Sequence, residues 1–423
     1  MKLKFSIMPL CISAAGMLAI SCGNRSFSDE WPQYRGPRGD GISHSAAVIK
    51  PWKEGAQPHE VWKQPIGVGF SGITLAGEQL LVAFGEDSSE YLGSYNRRTG
   101  TENWRCDIGP LFEEELGDGP RATAAVDGDL AYIYNSWGHL YSVNIETGDV
   151  VWRVALSDTF NVPMLVPKRG FTNSPVVLDD KVIMYAGGSD STAFIAFDKL
   201  TGDVVWRTGS TRGSYSSPIV VSIDGVKQIL FTTTRVIEED GRRRGAYEVF
   251  SVSPEGEILW IGPGVGGVIS MPVFVPPNKV FVASQIEDIG SRLIEVMRDG
   301  ETWAAKEVWK SSMMHTHFNT AVYYEGYLYG FSNATLECLD AETAERKWRK
   351  RGLGKGSLMI ADGKLIILTD RGKLALAEAS PEEYTELARA QVITGKSWTV
   401  PTYADGMLYV RNVKEMACYD LTK

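Results

Sequence analysis

Two histidines, His315 and His317, form the residue pair in this sequence that most suggests chemistry. The chain has five histidines in 423 residues, and a single threonine separates these two. On a strand, residues two apart point to the same face, so both imidazoles would share one surface. Such a pair can bind a metal ion or act as a general base. Because no acidic third ligand lies close in sequence, we favour two histidines that hydrogen-bond water and neighbouring loops.

Other candidate ligand residues lie in short, small-residue segments that precede apolar runs, such as "GFTNSPVV" at 170–177 and "GKSWTVPTY" at 395–403. If these segments converge, they form a polar, aromatic ring with one cation, as a pocket for a small ligand requires. No phosphate-binding loop, nucleophile elbow or zinc-protease motif is present, so no catalytic residue and no metal ligand is assigned. The candidates for the ligand site are Arg121, Asn173, Tyr215, Ser217, His315, His317, Asn319 and Trp398.

A repeat supplies the elements that would bring these segments together. The run "TGDVVWR" occurs at 147–153 and again at 201–207, and weaker copies end in a tryptophan every 39–54 residues. A period of this length is typical of stacked supersecondary units. An eighth marker is expected near residue 392, where no tryptophan stands. The marker tryptophans, which we expect to pack between neighbouring units, are Trp62, Trp104, Trp152, Trp206, Trp260, Trp309 and Trp348.

Each repeat has the composition of a small antiparallel sheet. An apolar run, a turn such as "AVDGD" at 125–129 or "YADGM" at 403–407, a second apolar run and a Thr-Gly turn follow one another. Asp-Gly between apolar runs predicts a tight hairpin, because glycine accepts a positive φ. Each unit is therefore predicted to be a four-stranded antiparallel meander, the size of one propeller blade.

Counting the units predicts an all-β protein, an eight-bladed β-propeller of four-stranded antiparallel blades over residues 58–423. The segment at 58–64 is a single strand with a marker tryptophan, and residues 398–421 supply three strands but lack a fourth strand with that tryptophan. Pairing the N- and C-terminal segments would therefore complete the last blade and close the ring. Seven blades is the alternative, because the stretch at 375–392 is degenerate. Residues 380–391 resemble a short helical turn with Ser380 as its N-cap.

The N-terminus predicts export. Residues 1–22 have a basic start, an uncharged apolar run and small residues before Cys22, as in a signal peptide with a lipobox. We expect a lipidated Cys22, an extended segment over 23–57, and an outer-membrane anchor with the protein facing the periplasm, so that only the lipid contacts the membrane. Ordinary cleavage near Ser21 is the alternative. A net charge of −9 disfavours nucleic acid as a partner.

The repeat "D-x-x-T-G-x-x-x-W", as in Asp198 through Trp206, resembles that of the pyrroloquinoline-quinone-like (PQQ-like) propeller family, as does the opening "WPQYRGPRGDGIS" at 31–43. The resemblance implies the propeller fold. It also implies one of two roles, because the family includes quinoprotein dehydrogenases and non-catalytic relatives such as the outer-membrane β-barrel assembly lipoprotein. Fold alone does not decide between these roles.

The dehydrogenases of that family hold PQQ over a disulfide between adjacent cysteines, with calcium and a catalytic aspartate. This chain has no Cys-Cys dipeptide, and Cys106, Cys338 and Cys418 are too widely spaced for a disulfide framework or a zinc site. We expect these three to be small buried strand residues. The sequence therefore favours a chain without enzymatic activity and without a firm cofactor, although PQQ with calcium is retained as a hypothesis.

Three functions follow from these observations. The leading hypothesis is a non-catalytic cell-envelope lipoprotein that acts as a binding or scaffolding module for a protein partner of the envelope or for a small ligand. The second is a PQQ-dependent oxidoreductase that acts on an alcohol or sugar in the periplasm. The third is a carbohydrate- or peptide-binding propeller that uses the channel mouth.

Overall fold

The computed structural model describes residues 30–423 except 161, 163–168, 189–190, 212–213, 240–241, 267–268 and 287. The predicted signal peptide, the lipobox with Cys22 and the start of the 23–57 segment lie outside the described residues. Two strands precede the first complete sheet, β1 (Ile42–Ser43) and β2 (His59–Pro65). Within the described part of the chain, no helix is long and apolar enough to span a membrane.

Four consecutive antiparallel sheets form the first half of the chain, and each contains four strands in sequence order. Blade 1 contains β3 (Thr74–Ala76), β4 (Gln79–Glu86), β5 (Ser89–Asn96) and β6 (Glu102–Pro110). Blade 2 contains β7 (Ala125–Asp127), β8 (Leu130–Tyr134), β9 (His139–Asn144) and β10 (Val150–Ala155), followed by the short helix α1 (Leu156–Phe160). Blade 3 contains β11 (Val176–Leu178), β12 (Lys181–Tyr185), β13 (Phe194–Asp198) and β14 (Val204–Thr208). Blade 4 contains β15 (Ile219–Ile223), β16 (Val226–Glu239), β17 (Arg242–Val252) and β18 (Ile258–Pro263).

The second half of the chain continues the same arrangement. Blade 5 contains β19 (Val273–Val275), β20 (Lys279–Ala283), β21 (Ser291–Asp299) and β22 (Thr302–Ser311). Blade 6 contains β23 (Val322–Tyr324), β24 (Tyr327–Ser332), β25 (Thr335–Asp340) and β26 (Arg346–Lys350). Blade 7 contains β27 (Gly356–Ala361), β28 (Lys364–Thr369), β29 (Lys373–Glu378) and β30 (Glu386–Gln391). Blade 8 contains β31 (Thr402–Ala404), β32 (Met407–Arg411) and β33 (Glu415–Asp420), with β2 as its outer strand.

The ring is closed between the two ends of the chain. Strand β2 pairs antiparallel with β33, and Trp62 lies opposite Cys418. The prediction of an all-β, eight-bladed propeller with N-to-C closure is confirmed, and the seven-blade alternative is wrong. First strands of neighbouring blades contact each other, which places them around the central channel.

Asp-Gly pairs form the predicted tight turns between the first two strands of several blades. Asp224 and Gly225 have φ of 48° and 75°, and Asp405 and Gly406 have φ of 52° and 82°. Two consecutive positive φ values define the hairpin turn that matches the twist of the flanking strands. Aspartate and glycine are the residues that tolerate this conformation, which explains their recurrence in the sequence.

Each marker tryptophan lies on the outer strand of its blade. The indole N–H of Trp152 in blade 2 donates to the Lys199 carbonyl of blade 3, at 3.0 Å. Trp62, Trp104, Trp206, Trp309 and Trp348 make the same hydrogen bond to a carbonyl of the next blade, at 2.8–3.1 Å. Trp260 instead donates to the Gln228 side chain of its own blade.

Blade 7 lacks a tryptophan because alanine stands at the marker position. Trp348 lies opposite Cys338 beside a β-bulge, and Ala388 lies opposite Leu376 beside the equivalent bulge. The expectation of a short helical turn over 380–391 is wrong, because Glu386–Gln391 pairs with β29 as an outer strand. Tertiary pairing here overrides a local capping signal.

The segment before β2 contacts the inner strands of several blades. Trp31 bridges to Leu75 in blade 1, and β1 pairs in parallel with β27 in blade 7. Between these points the guanidinium of Arg35, which is 1% exposed, donates to the Thr320 and Ala321 carbonyls at 3.0 and 2.9 Å. Residues 31–43, which we call the plug, therefore contact blades on several sides of the ring.

Candidate functional site

A cup opens at the channel mouth and is lined by one equivalent residue from almost every blade. Each lies six residues before the last residue of its blade's first strand, or eight in blade 4. Because the blades repeat around an axis, this register brings positions far apart in sequence onto one ring. The ring residues that line the cup are Phe70, Arg121, Thr172, Tyr215, Ile269, Phe318 and Trp398.

The cup is a shallow cavity with a base formed by the plug. Its volume is about 170 Å³, and Tyr34 from the plug lies among its lining residues. Arg35, the next residue, is held inside the channel by its hydrogen bonds to blade 6. The plug therefore fixes the base of the cup from a part of the chain that does not belong to the repeat.

Aromatic rings form one side of the cup. Trp398 stacks with Phe318 at a centroid separation of 4.9 Å and an interplanar angle of 18°. It also stacks with Phe70 at 5.6 Å and 28°. These rings come from blades 8, 6 and 1, so the stack exists only because the propeller closes.

Two arginines and one glutamate form another side. Arg121 donates to Glu114 Oε1 and Arg169 donates to Glu114 Oε2, and the Glu114 side chain is 4% exposed. Arg121 also donates to the Gly117 and Gly119 carbonyls at 2.7 and 2.9 Å, which fixes the loop over 111–120. Both carboxylate oxygens are thus occupied, and the three side chains carry a net positive charge.

More cations lie beside the aromatic stack. The ammonium of Lys396 lies 4.7 Å from the centroid of the Trp398 ring and donates to the Leu116 carbonyl. Lys355 occupies the ring position of blade 7, although it does not line the cavity. Burial lowers the pKa of His317, and the charge of Lys355 lowers it further, so this imidazole is neutral at pH 7.

Hydroxyl side chains lie two residues beyond the ring position in five of the eight inner segments. Thr123 Oγ1 accepts from the Gly72 N–H at 2.8 Å, and Ser174 Oγ accepts from the Thr123 N–H at 2.9 Å. Ser217 Oγ likewise accepts from the Ser174 N–H at 2.8 Å. These hydrogen bonds join neighbouring blades beneath the cup, which gives the recurring Ser-Pro pairs a structural explanation.

The structure brings together five of the eight residues proposed for a ligand site, while three lie elsewhere. Asn173 and Asn319 are 3% and 2% exposed, one residue beyond the cup positions of blades 3 and 6. His315 accepts or donates a hydrogen bond at Nδ1 with Ser332 Oγ, at 2.8 Å, and does not line the cup. The two histidines do not share the face of a strand, because residues 315–320 lie outside any strand. The five that line the cup are Arg121, Tyr215, Ser217, His317 and Trp398.

Several cup residues escaped the sequence argument. Phe70 and Phe318 were missed because an apolar residue beside a strand suggests core. Glu114 and Arg169 belong to loops outside the repeat, where no periodicity applies. The ring residues could have been found from their constant distance in sequence before the end of the first strand of each blade.

The calcium and PQQ of quinoprotein dehydrogenases do not match the residues of the cup. Calcium takes about six to eight oxygen ligands, whereas Glu114 gives both oxygens to arginines. Among the described residues, no group of three or more His, Cys, Asp or Glu side chains is placed to hold a metal ion. Cys106, Cys338 and Cys418 are buried within blades and do not line the cup.

Comparison with known proteins identifies the family of the repeat. A family model described as outer membrane protein assembly factor BamB matches residues 88–350, which is more than half of the chain. The chain belongs to this family. No curated protein sequence matches it significantly.

Solved structures share the fold at low sequence identity. The quinohemoprotein alcohol dehydrogenase of Comamonas testosteroni aligns with a TM-score of 0.64 and 12% identity, over 95% of this chain and 82% of the enzyme. A europium-containing methanol dehydrogenase aligns with a TM-score of 0.53 and 10% identity, over 90% of this chain and 89% of the enzyme. The computationally designed protein Ika8 aligns with a TM-score of 0.56 and 10% identity, over 86% of this chain and 99% of Ika8. These likenesses concern the fold, and the BamB family therefore shares its propeller with dehydrogenases.

Proposed function

We propose that this chain is a non-catalytic lipoprotein of the cell envelope, a scaffold that binds a protein partner through the outer strands of blades 2–5. The family description, outer membrane protein assembly factor, supports a role in binding proteins at the envelope. The basic and apolar N-terminus with Cys22 supports export and anchoring. On this proposal the lipid holds the scaffold at the outer membrane, facing the periplasm.

The observation that carries the proposal is a set of exposed apolar side chains on the outer strands of four neighbouring blades. Val151 on β10 is 50% exposed, and Val205 on β14 is 47% exposed. Ile261 on β18 is 42% exposed, and Val308 on β22 is 40% exposed. Large apolar side chains exposed on four adjacent blades form a band of the kind that marks protein-binding surfaces.

The backbone of these strands adds a second reason. Each outer strand pairs with its blade on one edge only, and in blades 2 and 3 the other edge of β10 and of β14 pairs with no described strand. A partner segment can add a strand to such an edge by main-chain hydrogen bonds, while its alternate side chains contact apolar residues, and this is a recurrent mode of protein recognition. Val151, Val205 and Val308 immediately precede the marker tryptophans of their blades, whereas Ile261 follows Trp260. The position immediately before Trp348 in blade 6 is instead an exposed lysine, Lys347.

Glu114 is the carboxylate among the cup-lining residues that the structure describes, and it accepts from Arg121 and Arg169. We therefore assign Glu114 a structural role, as the anion that holds the two arginines in place.

Site-specific photo-cross-linking in native envelopes tests the proposal. A photoreactive phenylalanine analogue would replace Val151 or Val205, and a matched variant would carry it at Lys347, the equivalent position of blade 6. We expect Val151 and Val205 variants to cross-link to the same protein. The Lys347 variant should not cross-link to it.

A charge substitution provides the second arm. Val151→Asp with Val205→Asp should remove the cross-link from a reporter at position 308, because burying a carboxylate in an apolar interface is unfavourable. Purified double mutant should keep the wild-type melting temperature, since both side chains are exposed. Equal cross-linking from positions 151, 205 and 347 would contradict this docking surface. So would a cross-link from position 308 that persists in the double mutant.

A further inference from the structure

The cup is a second candidate binding site, separate from the outer strands of blades 2–5. We propose that it binds a small aromatic carboxylate, with the ring against the Phe70–Trp398–Phe318 stack and the carboxylate toward the cationic side chains around it. This proposal does not depend on the partner surface. It rests on the aromatic wall, the charge and the volume of the cup.

The aromatic wall favours a flat, unsaturated ligand. Phe318, Trp398 and Phe70 form one stack in which all three residues line the cavity. Aromatic pairs contribute about 0.5–1.5 kcal/mol beyond the apolar area they bury. Burial raises the pKa of Tyr215 to about 12, so its hydroxyl stays neutral and able to donate a hydrogen bond.

The charge of the cup favours an anion. The chain has 52 acidic and 43 basic residues, yet the eight ring positions hold two basic residues, Arg121 and Lys355, and no acidic one. Glu114 and Glu115 together offset the two arginines, because Glu115 Oε1 lies 3.6 Å from Arg169 Nη2, so the excess positive charge comes from Lys355 and Lys396. Neither Lys355 nor Lys396 has a carboxylate within ion-pair distance among the described residues. A positive recess in a protein of net charge −9 selects anionic ligands and raises their local concentration.

The volume limits the size of the ligand. About 170 Å³ is available, whereas sites for drug-sized ligands occupy about 300–1,000 Å³. The cup therefore suits one ring with one acidic group. The cup is too small for a fused, three-ring quinone. The proposed aromatic carboxylate therefore differs in size from the cofactor of the dehydrogenases that share the fold.

Isothermal titration calorimetry with three probes of similar size tests the ligand class. Benzoate has the ring and the charge, cyclohexanecarboxylate has the charge without the aromatic ring, and benzamide has the ring without the charge. We expect saturable benzoate binding with a dissociation constant of about 0.1–1 mM, as expected for about nine non-hydrogen atoms. The other two probes should bind about tenfold more weakly, because each loses one of the two interactions.

Variants localise the binding to the cup. Lys396→Met should weaken benzoate binding about fivefold, and Trp398→Leu should weaken it at least as much. Lys347→Met, which removes a lysine on the outer strand of blade 6, should leave the affinity unchanged. The Lys396 ammonium lies over the Trp398 ring and donates to the Leu116 carbonyl, so the melting temperature of the variant is measured together with its affinity.

Three results would overturn the proposal. The first is no saturable binding of benzoate up to about 10 mM, tenfold above the expected range. The second is equal affinity for benzoate and for either control probe. The third is benzoate binding that persists unchanged in both Lys396→Met and Trp398→Leu. Tighter binding of PQQ than of benzoate, lost in the same variants, would overturn the size argument.

Discussion

Trp152 and Gly202 meet across the boundary between blades 2 and 3. A Cβ on Gly202 would lie 2.8 Å from the indole ring, and Gly202 has a φ of 77°. Trp104 with Gly148 and Trp206 with Gly256 repeat this contact at neighbouring boundaries. The Thr-Gly turn and the tryptophan of the repeat are therefore two halves of one contact between adjacent blades.

Gly202→Ala should destabilise the protein more than Gly225→Ala. Both glycines have a φ near 76°, so both variants incur the left-handed strain of about 1–2 kcal/mol. Only the alanine at 202 also meets the Trp152 ring, since nothing lies within 4 Å of a Cβ on Gly225. Overpacking adds about 1–3 kcal/mol. Urea unfolding measures the difference, and equal losses for the two variants would contradict the contact.

Trp152→Ala should cost about 3–5 kcal/mol of stability, and Trp152→Phe should cost less. The indole is 9% exposed and packs between two blades, so alanine leaves a cavity. Phenylalanine keeps much of the packing but removes the N–H that donates to the Lys199 carbonyl, a loss of about 0.5–1.5 kcal/mol. Differential scanning calorimetry would rank the two variants, and a smaller loss for alanine than for phenylalanine would contradict this account.

The blade count followed from the sequence because turn residues and tryptophans mark seven of the eight blades. Blade 7 shows the limit of that argument. Ala388 takes the marker position, and a Ser-Pro capping signal suggested a helical turn where pairing with β29 makes a strand. Pairing with the edge of an existing sheet in the folded structure overrides the local helical preference here.

The cup was less predictable than the fold. Its lining depends on a register that must be counted from the ends of eight short strands, and blade 4 shifts that register by two residues. Tyr34 reaches the cup through the plug, and Glu114 through a loop, neither of which belongs to the repeat. Hydropathy patterns describe repeats well, but they do not locate segments that cross from one blade to another.

Arg35→Met should release the plug while leaving the blades folded. The variant leaves the Thr320 and Ala321 carbonyls buried without their donor, at a cost of about 1–3 kcal/mol each. Hydrogen exchange reports the result, because the Ile360 N–H donates to the Gly41 carbonyl only while the plug is in place. We expect faster exchange over residues 31–43 and at Ile360.

Two comparisons make that experiment decisive. Exchange at Leu92 in β5 should stay slow, because this residue pairs within blade 1 and not with the plug. Arg35→Lys should be intermediate, since one ammonium replaces a fork of several donors. Uniformly faster exchange across all blades would mean that the plug is required for the whole ring.

PQQ with calcium should not shift the melting temperature of the mature protein. The cup offers calcium a carboxylate that two arginines already hold, and its volume is small for the quinone. A ligand specific to the folded state adds about 2.7 kcal/mol at 100 times its dissociation constant. A saturable shift of that size, lost in Trp398→Leu, would instead support the oxidoreductase hypothesis.

Glu90→Gln should flatten the dependence of stability on pH. Glu90 is fully buried below the loop that carries Glu114, and one oxygen accepts from the Ser136 N–H at 3.0 Å. Burial raises its pKa above the ordinary value of 4.5, although hydrogen bonds from Ser136 and Phe112 and the charge of Arg121 oppose the shift. The folded state then holds this proton to higher pH than the unfolded state does, so the free energy of unfolding falls as pH rises above about 4.5. Glutamine removes that proton, so the wild-type value minus the Glu90→Gln value should decrease with rising pH in urea titrations. Parallel pH profiles for the two proteins would show that Glu90 ionises as easily in the folded state as in the unfolded chain.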